Sequence, residues 1–190
     1  VFMIKKSVYI KYALFSLLSI LADILAILFA PIAPLPIFIY EEGGREHVVK
    51  PFKWLTTHDA PIDAGHVDGY WDTPKTALGR WWSRVRWIWR NPAYAFDHSL
   101  GYSQEGVILT KHKDNKGLRY TGVENEAYWT AINAKGKESF FYEKQSKWKV
   151  PFVNKYYVLE QQYGWKLYRN DEDKKCMLAL RWSPFKRYDK

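Results

Sequence analysis

From Tyr12 to Ala30 the chain reads YALFSLLSILADILAILFA, apolar or small throughout, with Asp23 as its one charge. About nineteen helical residues reach roughly 28 Å, close to the hydrocarbon core of a bilayer. No continuous polar stripe divides the run, so it predicts a helix embedded in lipid rather than one lying half in water. Ser16, Ser19 and Asp23 form a narrow line on one face, and Ala22, Ala26 and Ala30 a small-residue line at four-residue spacing. The residues expected to pack against another helix are therefore Ser19, Ala22, Asp23, Ala26 and Ala30. A buried core helix of a soluble protein fits the same pattern. So does a signal peptide, although Ala30 and Ala33 are each followed by proline, a poor context for cleavage. The expectation is an uncleaved anchor. Pro31, Pro34 and Pro36 end it, leaving two geometries: a single pass, or a re-entrant piece through Ile37–Tyr40.

Beyond the anchor, EEGGR (41–45) predicts a linker and residues 56–74 a long Asp-, Gly- and Pro-rich loop. TALGRWWSRVRWIWR (76–90) predicts an amphipathic helix with Thr76 as N-cap, stopped by Asn91-Pro92. From Val107 the period shortens to that of strands, expected at 107–112, 117–123, 127–134, 138–147, 154–163, 165–169 and 175–182. Turns fall at 114–117, 133–136 and 170–174, and Phe140, Tyr142, Tyr156, Val158, Leu167, Met177 and Leu178 are the expected core. The fold class is α+β: an N-terminal membrane helix, one Trp/Arg-rich amphipathic helix, and a C-terminal antiparallel β meander closing as a small sandwich or open barrel. The expected segments are an anchor (1–40), a linker (41–45), the Asp/His loop with the Trp/Arg helix (46–106) and the β domain (107–190). Residues 46–190 are expected to fold as one unit.

Charge changes this picture by naming a partner. The chain has 190 residues, a net charge of +9 and 18% aromatics. Basic and aromatic together suit either an anionic membrane surface or single-stranded nucleic acid. Adjacency to an anchor favours lipid, so Arg80, Trp81, Trp82, Arg84, Arg86, Trp87, Trp89 and Arg90 are expected at the head-group level; a helix packed into the core is the alternative. The lone cysteine, Cys176, excludes an internal disulfide and reads as a buried thiol. The loop 56–74 carries the only chemically suggestive cluster. Asp59, Asp63, His66 and Asp68 have the donor atoms for a divalent metal, but their spacing matches no metalloenzyme signature, and backbone capping explains aspartates in turns equally well. Asp97-His98 has no accompanying nucleophile motif. The expectation leans away from an enzyme and names no resident cofactor.

WLTTHDAPIDAG (54–65), RWWSRVRWIWRNPAYAF (80–96), GWKL (164–167) and SPFKR (183–187), behind an apolar segment with a central Asp, resemble an uncharacterised family of small proteins encoded by tailed bacteriophages. The resemblance covers most of the chain in order and carries no catalytic residue over. It implies a phage-encoded membrane protein: an accessory factor of the host inner membrane with its domain on the cytoplasmic side, or a virion or ejection component. Anionic lipid is the expected partner, with self-association or other phage proteins reached through the N-terminal helix. A metal-dependent hydrolase built on residues 58–72 is a further alternative.

Overall fold

The computed structural model describes residues 4–113, 125–149, 151, 156–167 and 175–187. The chain is α+β. Helix α1 (Lys6–Phe29) leads through a 3-10 turn (Pro36–Phe38) into a ribbon of β1 (Ile39–Glu42) and β2 (Arg45–Val48). A second 3-10 turn (Lys50–Leu55) precedes α2 (Ala64–Val67), α3 (Ala77–Arg90) and α4 (Tyr94–Ser99). Then come β3 (Ile108–Lys113), β4 (Asn125–Ile132), β5 (Glu138–Lys149), β6 (Tyr156–Lys166) and β7 (Met177–Arg187). These five pair antiparallel in chain order, a meander with two edges and no barrel closure. By packing the chain divides into two compact units, Val1–Ser16 with Gly101–Lys190, and Leu17–Leu100.

In the first unit the sheet alternates as pleating requires. Ser139, Phe141, Glu143 and Gln145 of β5 are buried on one face, where Phe141 stacks on Trp129 at 4.3 Å. That face is polar: the Gln145 amide donates to Glu143 Oε1 at 3.3 Å and to Glu160 Oε1 at 3.4 Å. Burial pushes the Glu143 carboxyl above its ordinary pKa. The opposite face receives the start of α1. Tyr9 and Tyr12 meet Phe140 at 4.9 and 5.1 Å, and the Tyr12 hydroxyl donates to the Ala179 carbonyl at 2.9 Å. Of the expected core, Val158, Met177 and Leu178 are buried, Phe140, Tyr142 and Leu167 are half-buried, and Tyr156 is exposed at the start of β6. The fully buried aromatic of β5 is Phe141, between the expected Phe140 and Tyr142 and on the face where it stacks on Trp129.

The turn at 133–136 forms as its sequence predicts. Asn133 Oδ1 accepts from the Lys135 and Lys137 amides, and Gly136 takes φ +71°. The strands expected at 154–163 and 165–169 are instead one strand, β6. Gly164 lies opposite Phe141 at φ +107°, with the Phe140 carbonyl where a Cβ would go. Glycine here permits a close backbone approach rather than a turn. Gly164→Ala should cost about 3 kcal/mol through strain and displacement of β5, read as a fall in the thermal midpoint of the sheet. The strand expected at 117–123 and the turns at 114–117 and 170–174 lie outside the described residues.

In the second unit, Ala22, Ala26, Ala30 and Ala33 share one core with Leu55, Ile62, Val85, Ile88 and Ala93. Alanine at four-residue spacing lets helices approach closely. The line expected to receive a second helix is thus filled within its own unit.

Candidate functional site

α3 begins where its sequence says it should, with the Thr76 Oγ1 accepting from the Gly79 amide at 3.0 Å. Its indoles and one guanidinium then serve the end of α1. Pro31 has no N–H, so the Ile27 carbonyl loses its helical partner. Trp89 Nε1 donates to that carbonyl at 3.1 Å, Trp81 Nε1 donates to the Pro31 carbonyl at 2.9 Å, and Arg84 donates to the Pro34 carbonyl at 3.3 Å. The tryptophan–arginine helix supplies the donors that a proline-rich helix end lacks.

Arg84 also grips Glu46 with both arms of its fork, Nε to Oε2 at 2.8 Å and Nη2 to Oε1 at 2.5 Å. It is buried, and so is Trp87. Both point into the protein rather than outward, because the 3.6-residue period turns positions 84, 85, 87 and 88 into the core. Arg86 lies over the Trp71 ring at 4.4 Å and Arg90 over Tyr70 at 4.0 Å. Arg80, Trp82 and Trp89 are exposed, and Trp81 is half-buried. Arg84→Gln should leave Glu46 without its fork and destabilise this unit by about 3 kcal/mol, visible as a lowered denaturant midpoint. Arg80→Gln should leave that midpoint unmoved.

The loop 56–74 is tied down piece by piece. Asp63 accepts from Arg45 Nε and from the Glu46 amide, each at 3.0 Å, and Asp68 pairs with Arg45 at 3.0 Å. The Ser83 hydroxyl meets His66 Nδ1 at 2.9 Å and accepts from Trp71 Nε1 at 2.7 Å. Asp59 is exposed beside His58. The four expected metal ligands therefore point to different partners, and among the described residues no three His, Cys, Asp or Glu side chains converge. The His58 ring stacks on His98 at 3.9 Å, while Asp97 turns elsewhere.

Asp97 is buried and accepts from the Ser19 hydroxyl of α1 at 2.6 Å. Burial pushes its carboxyl up to about 7, against the pull of the Ser19 bond, and Asp23 nearby adds to the rise. Ser16, Ser19, Ala22, Ala26 and Ala30 are all buried and Asp23 half-buried, so the polar line and the small-residue line are one packed face. The rest of the helix is bare. Leu14, Leu17, Leu18, Leu21, Ile24, Ile27 and Leu28 are exposed, and the apolar run continues through Ile32, Leu35 and Ile37, the last 78% exposed. An apolar surface this long on one element is far from the scattered exposure normal in water.

The Ser19–Asp97 bond and the capping of the Ile27 and Pro31 carbonyls by indoles are not written in the sequence pattern. The missing N–H of Pro31 was the one signal in the sequence that a donor had to come from outside the helix.

Together these features define an α+β protein with, among the described residues, one apolar helix long enough to cross a membrane. The chain belongs to the family of unknown function DUF7338, which matches residues 3–190. No curated protein and no solved structure matches it.

Proposed function

We propose that the chain is a phage-encoded, membrane-attached accessory protein that holds a basic, aromatic β unit at the surface of the host inner membrane, on its cytoplasmic side. The observation that carries this reading is the division of α1 into a packed face of Ser and Ala and a bare face of Leu and Ile. A soluble core helix would bury both. Fully burying one such leucine is worth about 1.5–3 kcal/mol, and the exposed run holds many. Trp89, bonded to the Ile27 carbonyl, and Trp82 against it are both exposed near the end of that run, a placement favoured at head-group level.

The packing also favours seating in one leaflet over a lone span. The covered side of α1 meets Asp97, and the buried Arg84–Glu46 pair belongs to the same unit. Charged groups carried to mid-bilayer depth on an attached unit would be costly. The test is a cysteine-free background (Cys176→Ser) with a single cysteine at Ser7 or Ile37, labelled by a membrane-impermeant thiol reagent in sealed vesicles. Both positions should label from the same side. Labelling from opposite sides would replace the single-leaflet seating by a span, and protein released by carbonate would remove the membrane reading.

A further inference from the structure

The first two turns of α1 and the β4–β5 turn enclose a cleft of about 230 Å³ inside the sheet unit. Lys5 just ahead of α1 and Ser7 and Lys11 on it line the cleft, together with Lys137 and Glu138 after the turn and Tyr102. Glu138 is already taken: the Lys5 ammonium lies 3.2 Å from Oε1 and the Lys5 amide donates to Oε2 at 2.9 Å. Lys11 and Lys137 are left facing one another with no carboxylate partner among the described residues. Each lies over an aromatic ring, Phe15 at 4.9 Å and Tyr102 at 4.8 Å. Burial, then the Lys11 charge, hold the Lys137 ammonium below its ordinary pKa, and Lys175 adds to the same effect. The N-terminus of α1 forms part of the rim, where the only carboxylate against it among the described residues is that of Glu138.

We propose that this cleft binds a phosphate group, with Lys11 and Lys137 as its two cationic arms. Two ammonium groups brought together without a counter-charge cost free energy that a bound oxyanion returns. Phosphate suits the site better than a carboxylate because it offers separate oxygens to both arms and to the Ser7 hydroxyl. The Tyr102 ring would flank the ester stem. Lys11 directly precedes the apolar stretch in sequence, so the source favoured here is the head group of an anionic phospholipid. That lipid assignment rests on the membrane reading above; the phosphate site itself does not.

The full chain in detergent micelles, its lysines carrying ¹³C-methyl labels, is titrated with inorganic phosphate while the Lys137 resonance is followed against pH. That resonance is assigned by its loss in Lys137→Arg. Phosphate should raise the Lys137 pKa by about one unit. In parallel, flotation compares vesicles of phosphatidylcholine alone with vesicles containing phosphatidylglycerol. Lys11→Gln/Lys137→Gln should weaken binding to the anionic vesicles about tenfold more than the charge-matched control Lys75→Gln/Lys111→Gln. A Lys137 pKa that ignores phosphate, with both double variants floating alike, overturns the site. A phosphate-shifted pKa with both variants floating alike keeps the site and makes its ligand a soluble phosphate ester. If nothing floats at all, the membrane reading falls, and the phosphate titration alone decides the site.

Discussion

Leu17→Gln/Leu21→Gln/Leu28→Gln should abolish flotation with vesicles while leaving the fold intact. All three side chains are exposed and make no part of the core. Each loses about 1.5 kcal/mol or more of burial in lipid, so the triple variant should bind roughly a thousandfold more weakly. Its thermal midpoint in detergent should match that of the unaltered chain. Ala26→Leu is the complementary change. Ala26 is wholly buried among the residues that join α1 to α3, so added bulk should lower the midpoint and spare flotation. A triple variant that floats like the parent would mean that lipid does not cover this face.

Stability of the helical unit should fall as pH rises from about 4 to about 7 and level off above. Asp97 has its carboxyl pushed up to about 7 by burial, against an ordinary 3.8. Between those values the folded state keeps a proton that the unfolded chain has released, so its stabilising share is complete only at low pH. Three pH units correspond to on the order of 4 kcal/mol. Asp97→Asn keeps an oxygen to accept from Ser19 and cannot ionise. It should match the parent near pH 4 and exceed it by several kcal/mol above neutrality, measured by denaturant unfolding across pH in one detergent. Parallel curves for parent and variant would show that Asp97 does not titrate in this window. Comparing the two proteins isolates Asp97 from Glu143, whose raised pKa acts in the same direction.

The elements with local causes were legible in the sequence. α3 runs from Ala77 to Arg90 behind the Thr76 cap because a side-chain oxygen three residues ahead of an amide is a local arrangement. The turn at 133–136 and the strands beside it follow from Asn, Gly and alternation in the same way. The α+β class followed from switching the period once, at Val107. What stayed open in the sequence was the partner of each charged side chain. Arg84 and Arg80 are the same residue type one helical turn apart, yet one is buried on Glu46 and the other is exposed. Asp63, His66 and Asp68 carry donor atoms that suit a metal or a cap, and in the fold they serve Arg45 and Ser83 separately.

By itself the sequence determined an apolar helix ending at Pro31, a capped helix rich in Arg and Trp, and an antiparallel meander, because each is written in hydrogen-bonding capacity and hydrophobic period over a few residues. Only the tertiary structure decided which face of α1 is covered and which is bare, which arginine is buried, and that Lys11 meets Lys137 across more than a hundred residues of chain. Those outcomes depend on which distant carbonyl, carboxylate or ring is brought opposite each side chain, and no local pattern encodes that.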